Sequence, residues 1–466
     1  MSTIGRRSFL KTTAVGGGGL ALAGPLQAFA AGPAGARTGH GGGGHGSGHG
    51  DGERGDDYGP ISPATDRATG QKMLALPKDF KYWAISQIGA PMSDGRPTPP
   101  SHDGMAAFEW GRKIRVVRNH EVRGAGTAFG PTGLAYDTAA GGGNTIIEFD
   151  PHRPERPRVF GALSGTSTNC CGGPTPWGSW LTCEETTEVL GKPHGYVFEV
   201  PARSDGFNKA VPLKSLGRFA HEALAVEPET RIVYLTEDAG GTSGFYRHVP
   251  DSRHRPLAGG KLEMLKVVGQ DNVNLGAGYE AGTRFRIEWV TVDQPDPDLA
   301  NGAPTTFAQG AAKGGAAFRR LEGAWWSEQD EAIYFNSTDG GAAAAGQVWA
   351  WYRSWGKEYV ELVYESPSTD VLLKPDNITV SSGGGILLCE DTDRARQTFL
   401  RGVNEQGALY DFAANIRPGV IEGTTTLSSW DEFAGATFLG DWLFVNIQTP
   451  GVTFAITGPW ERGPLG

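Results

Sequence analysis

Short apolar runs, each opened by an acid, broken by a turn and closed by further acids, recur along most of this chain. From His221 the pattern opens at Glu222 and runs through Ala223-Leu224-Ala225-Val226. It turns at Glu227-Pro228-Glu229-Thr230, returns as Ile232-Val233-Tyr234-Leu235 and closes on Glu237-Asp238. The same order returns at Glu322, Ala324-Trp325-Trp326, Ser327-Glu328-Gln329-Asp330, Ile333-Tyr334-Phe335 and Asp339. It returns again at Asp376-Asn377, Ile378-Thr379-Val380, a glycine turn, Ile386-Leu387-Leu388 and Glu390-Asp391. Looser copies run from Asp103 through Arg115-Val116-Val117 to Asn119-His120-Glu121, and from Gly173 through Trp180-Leu181 to Glu184-Glu185. A last one runs from Gly435-Ala436 through Leu443-Phe444-Val445 to Asn446. Runs this short, bounded by turn residues, read as paired strands of antiparallel hairpins. Their closing ends recur roughly every 50 to 65 residues, a period that suits four-stranded propeller blades. The pattern predicts an all-β chain folded as a six-bladed β-propeller. The interval from Asp238 to Asp339 is about twice the usual one and predicts an insertion around residues 250–315.

Composition supports this reading and narrows the partners. Among 466 residues there are 71 glycines and 30 prolines, too many breakers for a helical protein. A formal net charge of −10 argues against a nucleic-acid partner, which would require a basic stripe. Cys183 and Cys389 end apolar strands and read as buried core thiols. Cys170, beside Cys171, lies instead among polar and glycine-rich residues.

The first thirty residues read as targeting rather than fold. Gly5-Arg6-Arg7-Ser8-Phe9-Leu10-Lys11 has the form of a twin-arginine motif, followed by a weakly apolar run over residues 14–26 and an Ala28-Phe29-Ala30 cleavage site. The run is too short and glycine-rich for a membrane span, so no stable membrane insertion is expected once the signal is removed. Export through the twin-arginine translocation machinery, to a periplasmic or extracellular location, is the expectation. Residues 31–60, with His40, His45 and His49, read as a disordered Gly/His-rich linker, leaving 61–466 for the propeller.

Hairpin geometry gives the acids a purpose. The start of the first strand and the end of the second lie at the same end of a hairpin. Repeated around a propeller, this brings the acids together at one mouth of the central channel, where they repel unless cations neutralise them. Carboxylates favour hard cations, calcium first among them, while a thiolate from Cys170 would shift the preference toward iron or another transition metal.

The chain resembles the PhoX-like alkaline phosphatases. The resemblance is carried by Arg118-Asn119-His120-Glu121, Asn169-Cys170-Cys171-Gly172-Gly173, Thr175-Pro176-Trp177-Gly178 and Leu181-Thr182-Cys183-Glu184-Glu185. It continues in Gly217-Arg218-Phe219-Ala220-His221-Glu222, Lys374-Pro375-Asp376-Asn377, Gly435-Ala436-Thr437-Phe438 and Asn446-Ile447-Gln448-Thr449-Pro450-Gly451. It implies an exported hydrolase of small phosphomonoesters using a mixed Ca2+ and Fe3+ cluster in the channel. By position the implied ligands are Glu121, Cys170, Glu184 or Glu185, Glu222, Glu237 or Asp238, and Glu322. Cys171 stands where the family usually has a small residue, which leaves either thiol open as the ligand. Phosphate oxygens call for cationic side chains, and Arg118 and Arg319 are the first candidates, with Arg247 and Arg320 beside them. Two other readings are a calcium-dependent propeller hydrolase such as a lactonase, with His120 or His221 as the base, and a non-catalytic propeller in which metal only holds the blades.

Overall fold

A computed structural model describes residues 55–391, 396–416 and 431–466. The twin-arginine motif and the histidines of the linker lie outside the described residues. The fold is all-β and propeller-like, and the helices among the described residues are short, such as Thr306–Ala311.

The strands form antiparallel sheets that follow the chain. His102–Trp110, Lys113–His120, Gly142–Phe149 and Arg158–Thr166 make one four-stranded sheet. Asn169–Pro174, Ser179–Glu184 and Val197–Pro201 make the next, of three strands. Two further four-strand runs, beginning at His221–Val226 and Leu321–Ser327, are joined at their outer edges by Arg284–Thr291 into one nine-stranded sheet. The sequence-predicted insertion therefore starts later than residue 250, because Gly260–Val267 is the regular fourth strand of its run.

The chain's beginning completes its end. Lys81–Gln87 pairs with Val452–Thr457 on the outside of the sheet begun by Phe433–Leu439 and Trp442–Ile447. Leu74–Pro77 and Ile61–Pro63 extend the sheet that starts at Pro375–Val380.

The first strands of these units adjoin one another in a closed circuit. His102–Trp110 lies beside Asn169–Pro174, then follow His221–Val226, Leu321–Ser327, Pro375–Val380 and Phe433–Leu439, which returns to His102–Trp110. The apolar core sits between successive sheets. Met105, Val116 and Ile147 pack with Phe444 and Ala455 across one junction, and Leu181 and Cys183 with Leu224 and Leu235 across another. Strands sandwiched on both faces can be apolar at consecutive positions, which is why Leu443-Phe444-Val445 and Ile386-Leu387-Leu388 are continuous runs.

Candidate metal centre

Each inner strand carries a β-bulge at the same point. The register shifts between His102 and Met105, Asn169 and Gly172, His221 and Leu224, Leu321 and Ala324, Pro375 and Ile378, and Ala434 and Thr437. A bulge opposes two residues to one and re-aims their side chains. The first residue in each bulge is Asp103, Cys170, Glu222, Glu322, Asp376 or Gly435. The residues that open five of the copies thus share one structural position, and in the copy read as opening at Gly173 that position falls to Cys170 instead. Gly435 is the exception that the geometry demands: its φ is +64°, and a Cβ there would lie 2.4 Å from the Asp103 carbonyl oxygen.

Three sets of these side chains can each converge on one ion. Ligand atoms of Cys170, Glu185 and Glu222 lie within 4.8 Å of one another, as do those of Glu185, Asp238 and Glu322, and those of Glu222, Glu322 and Asp376. Glu185, Glu222 and Glu322 are each shared by two sets, so the three form one connected cluster. Burial, then Asp376, Glu185 and Asp103, hold the Glu222 carboxyl well above the usual carboxylate range. Burial, then Asp238 and Glu222, do the same for Glu322, and burial with Asp391 pushes Asp376 up to about 8. Glu222 Oε1 is buried without a hydrogen-bond partner among the described residues. Mutually repelling carboxylates with an orphaned oxygen and one thiol fit cations well: hard ions for the oxygens and a transition metal at the sulfur.

The adjoining side of the mouth is also acidic. Gln448 Nε2 donates to Asp103 Oδ2 at 2.8 Å and to Glu121 Oε2 at 2.7 Å. Burial and then Glu121 and Asp376 raise Asp103, while burial and Asp391 raise Glu432. Asp103, Asp376 and Asp391 belong to the repeated pattern. Glu432 and Gln448 do not, and neither offers an acid-flanked hairpin to mark it.

The structure separates the members of each acidic pair. Glu185 and Asp238 face the cluster, whereas Glu184 and Glu237 turn into the sheets. Glu184 accepts from the backbone N–H groups of Ser167, Gly195 and Tyr196 at 3.0, 2.9 and 3.1 Å and meets His194 Nδ1 at 2.6 Å. Glu237 accepts from the Gly244 N–H at 3.0 Å and the Tyr246 hydroxyl at 2.6 Å, and burial pushes it up to about 7. Both are occupied in tying one strand to the next, and neither belongs to a metal-competent set. Cys170 Sγ lies 3.4 Å from the carbonyl oxygens of both His221 and Glu222. Cys171, the second bulge residue, lies against Gly104 and joins no set.

The expected arginines are also redistributed. Arg118 is fully buried and donates to His102 Nδ1, Thr453 Oγ1 and Thr145 Oγ1 at 3.1, 2.7 and 3.0 Å, all neutral groups within the blades. Arg319 packs against Gly276, and Arg247 pairs with Glu263 and Glu358 on the outer strands. The guanidiniums that meet the acids are Arg320 and Arg123. Arg320 Nη2 lies 3.0 Å from Asp238 and 2.8 Å from Glu322. Arg123 pairs with Glu121 and, at 3.2 Å, with Glu185. His120 is engaged by Pro100 O and Thr145 Oγ1, each at 2.9 Å. The His221 ring lies 3.6 Å from that of Phe219, centroid to centroid, and burial pushes its pKa down to about 3. Neither imidazole is presented to the mouth as a base.

A comparison with curated protein sequences finds no match. Among solved structures the chain is similar to Pseudomonas fluorescens PhoX in complex with vanadate, a transition state analogue, at 17% identity and a TM-score of 0.63. The likeness covers 88% of this chain and 99% of that one. A gluconolactonase from Xanthomonas campestris aligns at 15% identity over 87% of this chain and 99% of its own, with a TM-score of 0.41. The family described as alkaline phosphatase PhoX matches residues 56–156 and 139–451, and the chain belongs to that family of metal-dependent phosphomonoesterases.

Proposed function

We propose that this protein hydrolyses small phosphate monoesters after export, with calcium and ferric iron held at one mouth of a six-bladed propeller. The convergence of Cys170, Glu185, Glu222, Asp238, Glu322 and Asp376 from separate hairpins carries the reading. The closed circuit of inner strands supports the blade count. Cys170 is the proposed iron ligand, with Glu185 and Glu222 beside it. Glu322, Asp238 and Asp376 are proposed to hold calcium, with Glu121 and Asp103 on the adjoining side.

Bound cations at such a site polarise phosphoryl oxygens and lower the cost of charge in an in-line displacement. The chain's own residues set the rest of the reaction. Successive carboxylates would hold such ions close together, a concentration of positive charge that suits a dianionic phosphate. The bulges fix the direction of each ligand, so little reorganisation accompanies the reaction. Arg320, fixed by Asp238 and Glu322, supplies a guanidinium beside the cluster for a phosphoryl oxygen. The buried, neutral His120 and His221 weigh against the lactonase reading, and a lactone offers no dianion to reward a clustered set of cations.

Among the described residues no helix is long and apolar enough to cross a membrane. The Arg6-Arg7 motif supports twin-arginine export of a folded chain. The test assays metal-replete protein against p-nitrophenyl phosphate and against lactones in parallel. Phosphatase activity abolished by chelation and restored by calcium is expected, with vanadate inhibiting it. Cleavage of lactones with every phosphomonoester left intact would sink the reading.

A further inference from the structure

Arg123 stands at the mouth with its guanidinium between two carboxylates that are both proposed above to turn toward metal. Its Nη2 pairs with Glu121 Oε1 and lies 3.2 Å from Glu185 Oε2. The backbone beside it is fixed. The Val122 carbonyl accepts the Thr168 N–H and the Val122 N–H bonds to the His120 carbonyl, both at 2.9 Å. The side chain is not fixed in the same way, being 66% exposed where that of Arg320 is 29% exposed. Arg320 also lies 4.0 Å from Asp339, an acid outside the metal-competent sets, so it retains a tether when the cluster is loaded. Both acids that hold Arg123 belong to the mouth.

Without cations, a guanidinium between Glu121 and Glu185 offsets their repulsion as a metal would. Ions of higher charge at the same carboxylates take over their lone pairs and repel the guanidinium. The anchored backbone would keep the long side chain within reach of the mouth, where its donors could turn to the oxygens of a bound phosphate. A planar fork of N–H donors suits that anion better than a point charge. Resting on the phosphatase reading above, we propose that Arg123 yields Glu121 and Glu185 to bound metal and serves as a phosphate-binding residue at the mouth.

The experiment measures binding of inorganic phosphate to the full-length, metal-loaded protein by calorimetry, with calcium and iron content determined in the same samples. Arg123→Gln should weaken phosphate about tenfold or more, the scale of a lost charge-assisted contact, with metal content unchanged. Arg123→Lys should recover part of that loss. Arg112→Gln, at an exposed turn at the far end of its hairpin, should bind phosphate as the parent does. Calcium binding to the stripped Arg123→Gln protein should be no weaker than to the stripped parent, since a competing cation is gone. Unaltered phosphate affinity in Arg123→Gln at full metal content would overturn the proposal while leaving the phosphatase reading intact. Loss of metal from that variant would also overturn it, because a residue displaced by cations is not needed to hold them. A parent protein that binds no phosphate when loaded would bring down the phosphatase reading and this proposal together.

Discussion

Neighbouring residues on a strand point to opposite faces, and the acidic pairs turn this rule into a division of labour. Glu184, Glu237 and Glu390 each accept backbone N–H groups of adjoining segments. Glu185 and Asp238 point into the mouth. Glu184→Gln should therefore lower the melting temperature by several degrees without changing metal stoichiometry, because a buried acceptor of three N–H groups is weakened. Glu185→Gln should do the reverse, losing metal by elemental analysis while the stripped protein melts as before. If Cys170 binds iron, Cys170→Ser should remove any visible charge-transfer absorption, and Cys183→Ser should keep it. Which member of a pair faced inward was not readable from the chain. The sequence expectation was one acid from each pair at the mouth, with the choice left open, because facing depends on a register that only the sheet supplies.

The β-bulge is the element that makes a site out of a repeat. Asp103, Cys170, Glu222, Glu322 and Asp376 differ in chemistry but share a position, and the sequence marked the four acids as openings of an apolar run but opened the Cys170 copy at Gly173. The bulges themselves were not legible, because a register shift belongs to two strands rather than to one. Arg118 shows the same limit. It sits on Lys113–His120 opposite Met105, so its direction is set by the pairing and leads into the blades, away from the acids. Gly435 tests the geometry directly. Gly435→Ala places a Cβ against the Asp103 carbonyl at a left-handed φ, and should cost about 1–3 kcal/mol in urea unfolding, the scale of local backbone strain. An alanine variant as stable as the parent would mean that the inner strand can relax there freely.

The whole molecule concentrates negative charge in one place, and this sets its response to pH. Asp376 is pushed up to about 8 and Glu237 to about 7, both chiefly by burial. A carboxyl raised in this way binds its proton more tightly folded than unfolded. Its contribution is present below the unfolded value and is lost as pH rises through the folded one. The metal-stripped protein should accordingly melt at progressively lower temperature between about pH 4 and pH 8, and calcium should flatten that slope. The repeat made the ring legible, but its closure was hidden: the strands from Ile61 to Gln87 carry no acid-flanked hairpin and find their places only beside segments near the other terminus. That closure has a consequence in time. Lys81–Gln87 leaves the ribosome long before its partner, Val452–Thr457. Through that interval the early strand has an unpaired edge and the ring stays open. If the Arg6-Arg7 motif directs export, a translocase that engaged it during that interval would meet a chain whose mouth is not yet assembled.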